Sequence, residues 1–367
     1  MTLSRRKVIA LIGGGTILAA SAAAAGFLTS RTPTQALAPW DKAGNYDDPR
    51  KRALSFALLA PNPHNLQPWI VDLEGTDGLA LYQDQSRKIP HTDPFDRQIT
   101  IGLGCFLEQL TIAASADGYG VDLSLFPDGP DGAIARAVFF AGGKSDRLAT
   151  AIMHRRSCKE PYADTAVAPE TAADLSPFAE IITDPDSVQV LRDVTWAAWL
   201  TEANTPRMLQ ESVDLMRFGK AEINANPDGI DLGGPFLESL MLAGVLSRKG
   251  QSDPDSTGFR QGVALYNSML MATPAYAVLT TDGNSRFDQI TTGRRWLRLN
   301  LATTLMGVSL HPVSQCLQEF PEMAEHYTAA HDLLAGPGQT VQMLGRLGYG
   351  PKVAQSPRWP LETKLRA

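Results

Sequence analysis

The chain has 367 residues, of which 44% are hydrophobic and 20% are charged, and its formal net charge is −6 at pH 7. This length suits one large domain or two moderate ones with a well-buried core. The low charged fraction excludes a disordered chain, and the acidic balance provides no basic surface for nucleic acid. The three cysteines, Cys105, Cys158 and Cys316, lack C-x-x-C spacing, which excludes a disulfide framework and a thiolate zinc site.

The first 38 residues have the pattern of a targeting segment. Arg5-Arg6 precede an Ala/Gly-rich apolar run over residues 8–28, and no acidic residue occurs before Asp41. A paired arginine before such a run is typical of a twin-arginine export signal, and residues 36–38 offer small residues at A-x-A spacing. We therefore predict export to the periplasm by the twin-arginine route. An uncleaved membrane anchor is the alternative, because the run is long enough to span a bilayer.

Export would change the charge of the mature protein and bears on its chemistry. Cleavage after residue 38 would remove four basic residues and no acidic ones, leaving 29 basic and 39 acidic residues and a net charge of −10. The twin-arginine route carries proteins that are already folded, often with a cofactor bound. The signal therefore favours a cofactor-containing protein.

Beyond residue 38, hydrophobic periodicity, Gly and Pro positions and capping residues predict two successive regions. The first, residues 39–145, is predicted to contain helices at 47–60 and 95–116 and strands at 69–73, 79–82, 121–126 and 135–140. The second, residues 146–367, is predicted to contain helices at 145–153, 169–178, 188–203, 209–220, 235–246, 262–271 and 286–308 and strands at 275–280 and 340–344. In both regions strands flank a long helix, but the two sequences lack close identity. Internal duplication and coincidence are both compatible with this pattern.

Several common signatures of nucleotide, hydrolase and metal sites are incomplete in this sequence. Residues 142–145 end like a P-loop but have Val138 at the upstream glycine position, and Gly102-x-Gly104 lacks the third glycine of a Rossmann fingerprint. There is no G-x-S-x-G motif, and the six histidines include no pair at metal-binding spacing beside a carboxylate. We predict no metal site and assign no catalytic side chain.

The segment over residues 60–69, APNPHNLQPW, contains three prolines, which hold a rigid and extended backbone between a helix and a strand. Asn62, Asn65 and Gln67 present amide donors and acceptors from this stiff loop. Such a set suits the edge of a flat heterocycle, on which donors and acceptors alternate. In the alternative interpretation, the amides cap the neighbouring helix and strand.

The segment over residues 154–161, HRRSCKEP, contains an R-x-S-x-K pattern. In an extended segment this pattern places Arg155, Ser157 and Lys159 at alternating positions. Two cations and a hydroxyl in this arrangement bind a phosphomonoester dianion well. The alternative is a basic helix end that the helix macrodipole stabilises.

Three separate parts of the chain resemble the nitroreductase family of flavin enzymes. Residues 60–69 resemble the family's P-S-S-x-N-x-Q-P-W loop, and residues 155–159 resemble its R-x-S-x-K/R motif. The C-terminal segments RLGYGP (346–351) and PRWPLE (357–362) resemble the family's L-G-Y-P…R-x-P-L-E ending. The resemblance covers residues 47 to 363. Gly293-Arg294 and residues 312–315 (PVSQ) are also similar to the Acg-like, single-chain nitroreductases.

The resemblance implies an α+β, nitroreductase-like fold that binds FMN at an interface. Nitroreductases usually bind FMN between two identical subunits, one supplying the R-x-S-x-K and tail contacts and the other supplying the Q-P-W loop. In this chain each set occurs once, in opposite regions. The resemblance therefore implies two similar halves, 39–145 and 146–367, packed as an internal pseudo-dimer with central mixed or antiparallel sheets and surrounding helices. We expect a monomer with one complete FMN site and one lost site.

By position, the resemblance implies nine cofactor-binding residues. Arg155 and Ser157 would bind the FMN phosphate, with Lys352 or Arg358 assisting. Lys159 would lie near the N1–O2 edge of the isoalloxazine, where negative charge develops on reduction. The other side of the flavin would be lined by residues of the proline-rich loop: Pro61, Asn62, Pro63 and Asn65. Two of these replace serines of the family pattern, which leaves fewer hydroxyl donors in the loop.

The implied function is an FMN-dependent oxidoreductase that transfers two electrons through flavin N5, in a ping-pong cycle, to a nitroaromatic, quinone or similar small-molecule acceptor. Export raises a difficulty, because nicotinamide cofactors are not normally present outside the cytoplasm. The alternatives are an exported flavin-binding or sequestering protein with little turnover and a nitroreductase-fold protein that has lost its flavin. Residues 204–262 are predicted as a helical lid over the flavin or as an ordinary packed insertion.

Overall fold

The computed structural model describes residues 30–366, and they form two halves around a shared core. The first half contains three helices and four strands: α1 (Thr34–Lys42), α2 (Pro49–Ala57), β1 (Trp69–Glu74), β2 (Gly78–Gln83), α3 (Arg97–Ala116), β3 (Tyr119–Leu125) and β4 (Ala135–Ala141). The second half contains the other elements: α4 (Pro169–Leu175), β5 (Glu180–Ile182), α5 (Pro185–Asn204), α6 (Pro206–Asp214), β6 (Met216–Phe218), α7 (Gly219–Ala225), β7 (Ile230–Leu232), α8 (Pro235–Leu242), α9 (Arg248–Gln251), α10 (Thr257–Met271), β8 (Ala275–Thr281), α11 (Arg286–Leu305), β9 (Ser309–Pro312), α12 (Ala324–Leu334) and β10 (Thr340–Gly348).

Each half has a four-stranded antiparallel sheet, and the two sheets have the same topology. The strand order is β1-β2-β4-β3 in the first sheet and β5-β8-β10-β9 in the second. In both, the long helix (α3 or α11) follows the second strand, and the fourth strand pairs with the second. The α+β class predicted from the sequence is confirmed, and both main sheets are antiparallel.

The halves differ mainly in what joins their first two strands. A three-residue turn connects β1 to β2, whereas residues 183–274 separate β5 from β8. This segment, hereafter the insert, holds helices α5 to α10 and the small parallel pair β6-β7. The predicted stretch 204–262 lies within the insert. The insert is longer than predicted because α5 and α10 belong to it and pack in a second core, with residues such as Met269 and Leu191 buried.

The two long helices cross at a pair of glycines. Gly104 and Gly293 are each the eighth residue of their helix, and a Cβ on Gly293 would overlap the carbonyl oxygen of Ile101 and lie 2.8 Å from Gly104 Cα. A Cβ on Gly104 would in turn overlap the carbonyl oxygen of Ile290. The helix backbones can approach this closely only because neither residue has a side chain.

Helix α3 combines an apolar composition with a central position. It is long and apolar enough to cross a membrane, but its most apolar window is 89% buried, as expected for the core helix of a folded domain. Its first turn is capped by the Asp93 carboxylate, which accepts hydrogen bonds from the backbone N–H of Gln98 (3.1 Å) and Ile99 (3.0 Å). The side chains of α3 and α11 pack in one hydrophobic core with both sheets. The two halves therefore share a core.

After β10 the chain leaves the second sheet and returns to the first half. The backbone N–H of Val71 in β1 donates to the carbonyl of Lys364 at 2.8 Å, and Val71 also forms a parallel bridge with Leu365. This C-terminal segment, residues 349–366 (the tail), thus joins elements that are nearly 300 positions apart in sequence. It brings the predicted C-terminal motif beside the proline-rich loop.

The structure corrects several details of the predicted elements. The predicted helix over 145–153 is a short 3₁₀ helix, Arg147–Ala151, and the predicted helix over 209–220 is α6, β6 and the start of α7. Strand β10 extends to Gly348, and β5, β9 and α12 were not predicted. Strands of three or four residues are too short for a periodic pattern to identify.

Helix α1 was also not predicted, and it contains the expected signal boundary at residue 38. Most of the predicted export signal lies outside the described residues. The segment that does lie within them is packed: Ala36 is buried, and its carbonyl accepts a hydrogen bond from Arg358 N–H at 2.9 Å. Export therefore stays a prediction, and the expected cleavage position after residue 38 falls inside a helix of the folded protein.

We expect Gly293→Ala to lower the free energy of unfolding by about 2–3 kcal/mol, because the added methyl group would force the two long helices apart. The control is Gly262→Ala in α10, where the nearest atom to an added Cβ is 3.9 Å away. That variant should be neutral or more stable by about 0.5–1 kcal/mol, since alanine is the better helix former. Urea unfolding of both variants measures their free energies of unfolding. Equal values for Gly293→Ala and Gly262→Ala would contradict the close contact of the two long helices.

Candidate functional site

Three predicted segments meet at the end of α2. Arg155 donates to the carbonyl of Leu59 at 2.9 Å, and Arg358 of the tail donates to the carbonyls of Leu58 (2.8 Å) and Leu59 (3.0 Å). The last carbonyl groups of a helix have no intrahelical partner and carry partial negative charge, so they attract cations. The basic segment of the second half, the tail and the first-half loop are thereby held together.

Arg155 and Arg358 are buried and Arg156 is half-buried, and together these three arginines form a cluster of positive charge. Arg155 and Arg358 are 3% and 2% exposed, and the guanidinium groups of Arg156 and Arg358 lie 4.6 Å and 5.8 Å from the ring centre of Trp40. Burial and the Arg156 charge lower the pKa of Arg155 to about 10. Burial and repulsion by the other two arginines hold the pKa of Arg358 well below its usual range.

Within residues 30–366, no carboxylate forms an ion pair with any member of this cluster. The ion pairs of the described residues involve other arginines and Lys88, and Arg358 donates instead to neutral acceptors such as Asn65 Oδ1 at 2.8 Å. Buried charges in proteins are normally paired with an opposite charge. The cluster therefore has the electrostatic character of an anion-binding site.

The donors beside the cluster fit a phosphate group. The Nε of Arg155 is buried without a hydrogen-bond partner in the described protein, and the half-buried Ser157 forms no side-chain hydrogen bond there. Both groups belong to the extended segment that precedes Lys159. Guanidinium and hydroxyl donors at such spacing can contact several oxygens of one dianion. The residues present are compatible with the phosphate of a mononucleotide.

The charge of Lys159 acts on titratable groups of the proline-rich loop, the insert and β9. Its side chain is exposed, yet burial lowers its pKa, and Asp231 of the insert, which is also exposed, has its pKa raised by burial. His64 is half-buried, and burial together with the Lys159 charge lowers its pKa to about 4. His311 of β9 is buried nearby with Nδ1 unpartnered, and its pKa is lowered by burial, by Arg346 and by Lys159.

The amides of the proline-rich loop bind the protein itself. Asn62 Oδ1 accepts from the backbone N–H of Gln67 at 2.7 Å, and its Nδ2 donates to the carbonyl of Ala60 at 3.2 Å. Asn65 Nδ2 donates to the carbonyl of Pro357 at 3.0 Å. The alternative interpretation, in which these amides satisfy neighbouring backbone groups, describes both residues. Their direct contact with a cofactor stays a prediction.

The loop is held in an unusual backbone conformation. His64, Asn65 and Gln67 all have positive φ, between 46° and 53°, which is uncommon for residues other than glycine. Pro61 and Pro63 remain half-exposed, and a Cβ on Gly102 of α3 would lie only 3.0 Å from Pro63. Backbone strain of this kind persists only where surrounding contacts fix it.

Gln67 and Asp228 supply those contacts. Gln67 is buried, its Nε2 donates to the carbonyl of Pro227 at 2.7 Å, and its Oε1 accepts from Trp359 N–H at 2.8 Å. The Asp228 carboxylate accepts from Arg87 (2.6 Å), Arg217 (2.7 Å) and Trp359 Nε1 (2.9 Å). These three donors lower its pKa against the opposing effect of burial. One carboxylate thereby joins the first half, the insert and the tail.

Lys352 is set apart from the other predicted site residues. It is exposed, and no contact of the described residues joins it to the arginine cluster. Arg358 is the buried cation of the tail, so of the two residues predicted to assist at the phosphate, the structure brings only Arg358 to Arg155.

Sequence reasoning missed Trp40, Asp228, Asp231 and His311. Pro-Asp-Gly at 227–229 indicates a turn but not a buried carboxylate. Two open grooves of about 410 and 590 Å³ lie elsewhere, one near Glu211 and one near Val190, and neither contains a predicted site residue. In residues 30–366 no three His, Cys, Asp or Glu side chains are grouped to hold a metal.

No family model matches the sequence. Two proteins of Mycobacterium tuberculosis, both named "Putative NAD(P)H nitroreductase", are similar to it. One, Rv3131, is 23% identical over 312 residues, which is 82% of this chain and 85% of that protein. The other, acg, is 31% identical over 119 residues, which is 31% of this chain and 36% of that protein.

The chain is similar to a named nitroreductase along most of its length. Among solved structures, the FMN-dependent nitroreductase NfnB from Mycobacterium smegmatis, crystallised in complex with NADPH, is 18% identical. It matches 60% of this chain and 98% of its own length, with a TM-score of 0.38.

Lys364, near the candidate site, makes the free energy of unfolding depend on pH. Its Nζ is buried and donates to the carbonyl of Gln67 at 2.8 Å, and burial lowers its pKa to about 7. Between pH about 7 and about 10 the unfolded chain binds a proton that the folded protein has released, so the free energy of unfolding rises with pH. We expect Lys364→Met to remove this slope, which is at most about 1.4 kcal/mol per pH unit.

Urea unfolding of wild type and Lys364→Met at several pH values between 7 and 10 measures this slope. The control is the exposed Lys144→Met, which should keep the wild-type pH dependence. If the free energy of unfolding depends on pH in the same way for wild type and Lys364→Met, the lowered pKa of Lys364 is contradicted.

Proposed function

We propose that this chain is an FMN-dependent oxidoreductase of the nitroreductase type, which transfers two electrons to a nitroaromatic, quinone or similar small-molecule acceptor. The observation that carries the proposal is the buried, unpaired arginine cluster at the meeting point of the three segments that resemble nitroreductase motifs. The similarity to Rv3131 over 82% of the chain supports it independently.

In this proposal the phosphate of FMN occupies the arginine cluster. Arg155 would donate a hydrogen bond to the phosphate from its unpartnered Nε, and Ser157 would donate one from its hydroxyl. Arg358, which is bonded to the carbonyl of Leu58, would contribute positive charge. Arg156, held against Trp40, adds a third positive charge. A dianion here offsets the mutual repulsion that lowers the arginine pKa values. The site is thus expected to gain stability when its ligand binds.

The isoalloxazine ring would extend from the cluster toward Lys159. The chemistry that the cofactor supplies when bound is two-electron transfer through N5, in a ping-pong cycle. Lys159 provides positive charge for the N1–O2 edge, where a reduced flavin is anionic. The proline-rich loop with Pro61, Asn62, Pro63 and Asn65 would line the opposite side, through its backbone and proline rings. We assign no general acid among the motif residues.

We further propose that the two halves arose by duplication and act as an internal pseudo-dimer with a single FMN site. The shared strand order, and the glycines at equivalent positions of α3 and α11, support this. The insert, absent between β1 and β2, covers the proline-rich loop through the hydrogen bond from Gly229 N–H to the carbonyl of Asn65 (3.3 Å). That contact favours a fixed cover over a freely moving lid.

Export by the twin-arginine route is also part of the proposal, with cleavage N-terminal to α1. Ala36 accepts a backbone hydrogen bond from Arg358 of the tail, and the guanidinium groups of Arg156 and Arg358 lie over the ring of Trp40. We expect the exported protein to begin before Thr34. Intact-mass measurement of the periplasmic protein tests this: a mature chain beginning at residue 39 would contradict it, and a chain still carrying residues 8–28 would support the membrane-anchor alternative.

We expect Arg155→Ala to raise the dissociation constant for FMN at least about tenfold over wild type, because the phosphate would lose a buried donor. The control is Arg136→Ala, an exposed arginine that pairs with Glu74 and Asp128. Equilibrium dialysis of both variants, with flavin read near 450 nm, gives the dissociation constants. Equal losses of affinity would contradict the phosphate assignment, and no flavin binding by wild type would contradict the proposed function.

Turnover separates the oxidoreductase from a flavin-storing protein. In stopped-flow experiments the FMN-loaded protein should be reduced by NAD(P)H or a quinol and reoxidised by a nitroaromatic or a quinone. Bound flavin that no such donor reduces, or that no acceptor reoxidises, would contradict an oxidoreductase and favour a sequestering role.

A further inference from the structure

Arg346 is a buried arginine of β10 that forms no ion pair within residues 30–366. It lies inside the second sheet, opposite Tyr276 of β8 and His311 of β9, so strands on both sides hold the base of its side chain. Buried charges normally have an opposite partner. The hydrogen bonds of this guanidinium group go to backbone carbonyls instead.

Two of these carbonyls flank Lys159. Arg346 Nη2 donates to the carbonyl of Glu160 at 2.9 Å and to that of Cys158 at 3.2 Å. Its Nη1 donates to the carbonyl of Met269 in the last turn of α10, where carbonyls have no intrahelical partner. One guanidinium group therefore joins three parts of the second half, which are β10, the basic segment and the end of the insert.

The segment that carries Lys159 is held at further points. The ring centre of Tyr162 lies 4.1 Å from the guanidinium carbon of Arg346. One residue later, the backbone N–H of Ala163 donates to the carbonyl of Tyr349 in the tail at 2.9 Å. The side chain of Lys159 is nevertheless exposed, and in the described part of the chain its ammonium group has no hydrogen-bond partner. A fixed backbone thus presents an ammonium group that a ligand can contact.

We propose that Arg346 is a positioning residue for Lys159: by fixing the carbonyls on both sides of the lysine, it sets where the ammonium group meets the N1–O2 edge of the flavin. This inference rests on the proposed function. A cation fixed at that edge stabilises the reduced cofactor more than the oxidised one, because negative charge develops there on reduction. A lysine on a mobile backbone loses part of this effect, since its charge is spread over many positions. Arg346 itself needs no contact with the cofactor.

Limited trypsin digestion of the apoprotein tests whether Arg346 attaches residues 158–160 to β10, because trypsin cleaves after lysine and reaches only segments that open. We expect Arg346→Gln to accelerate cleavage between Lys159 and Glu160 about fivefold or more over wild type. The control is Arg97→Gln, which removes another buried arginine that bonds to two backbone carbonyls of the second half. Equal cleavage rates at this bond in the two variants would contradict the attachment.

A double-mutant cycle on the midpoint potential of bound FMN tests the role toward Lys159. We expect Lys159→Gln and Arg346→Gln each to weaken the binding of reduced FMN about tenfold relative to oxidised FMN, which lowers the two-electron potential by about 30 mV. The double variant should fall no further than Lys159→Gln, because Arg346 acts through the lysine. Arg97→Gln should leave the potential unchanged. Additive falls, or no fall in Arg346→Gln, would overturn the positioning role.

A second pair of variants covers the case in which Arg346→Gln does not fold. Tyr162→Leu keeps the arginine but removes the ring under it, and it should lower the potential in the same non-additive way. Tyr162→Phe keeps the ring and should match wild type. A wild-type protein that binds no FMN would overturn the proposed function and the positioning role with it, whereas digestion of the apoprotein would still confirm or contradict the attachment to β10. Bound FMN with additive falls would overturn this inference alone.

Discussion

The close crossing of α3 and α11 is the contact on which the rest of the structure depends. With no side chain at Gly104 or Gly293, the two helix backbones touch, and the sheets of both halves pack around one core. Arg155 is bonded to Asn300 of α11 at 3.1 Å and to the carbonyl of Leu59, beyond the end of α2, at 2.9 Å, so it links the two halves beside this crossing. Wider spacing of the helices would separate the segments that form the site.

The charge of the protein is distributed in a way that composition does not reveal. Among the described residues of this acidic chain, the buried Arg155 and Arg358 and the half-buried Arg156 lie together without carboxylate partners, whereas the buried Glu108 is paired with Arg294 and Arg298. Unpaired buried cations cost free energy that the fold must offset elsewhere. Such a cost is typical of a site that a ligand completes.

The sequence predicted the long helices and most strands because periodic patterns, prolines and capping residues are local signals. The contiguous family motifs also pointed to Arg155 and Arg358, which the structure brings to one carbonyl group at the end of α2. Their contact with FMN, and that of Ser157, stays a prediction. The sequence could not locate Asp228 or Trp40, whose roles arise from packing between segments 100 or more residues apart. It could not show that the amides of Asn62 and Asn65 bond to backbone groups of the loop and the tail, and their contact with a cofactor stays a prediction. Short strands such as β5 lie below the length at which periodicity can be read.

The stoichiometry of FMN binding tests the central claim most directly, because that claim is one site built from two halves of one chain. Apoprotein is titrated with FMN by calorimetry while light scattering records the mass of the complex. The account predicts one FMN per chain in a monomer of about 40 kDa. Two FMN per chain, one FMN per two chains, or no binding would contradict it.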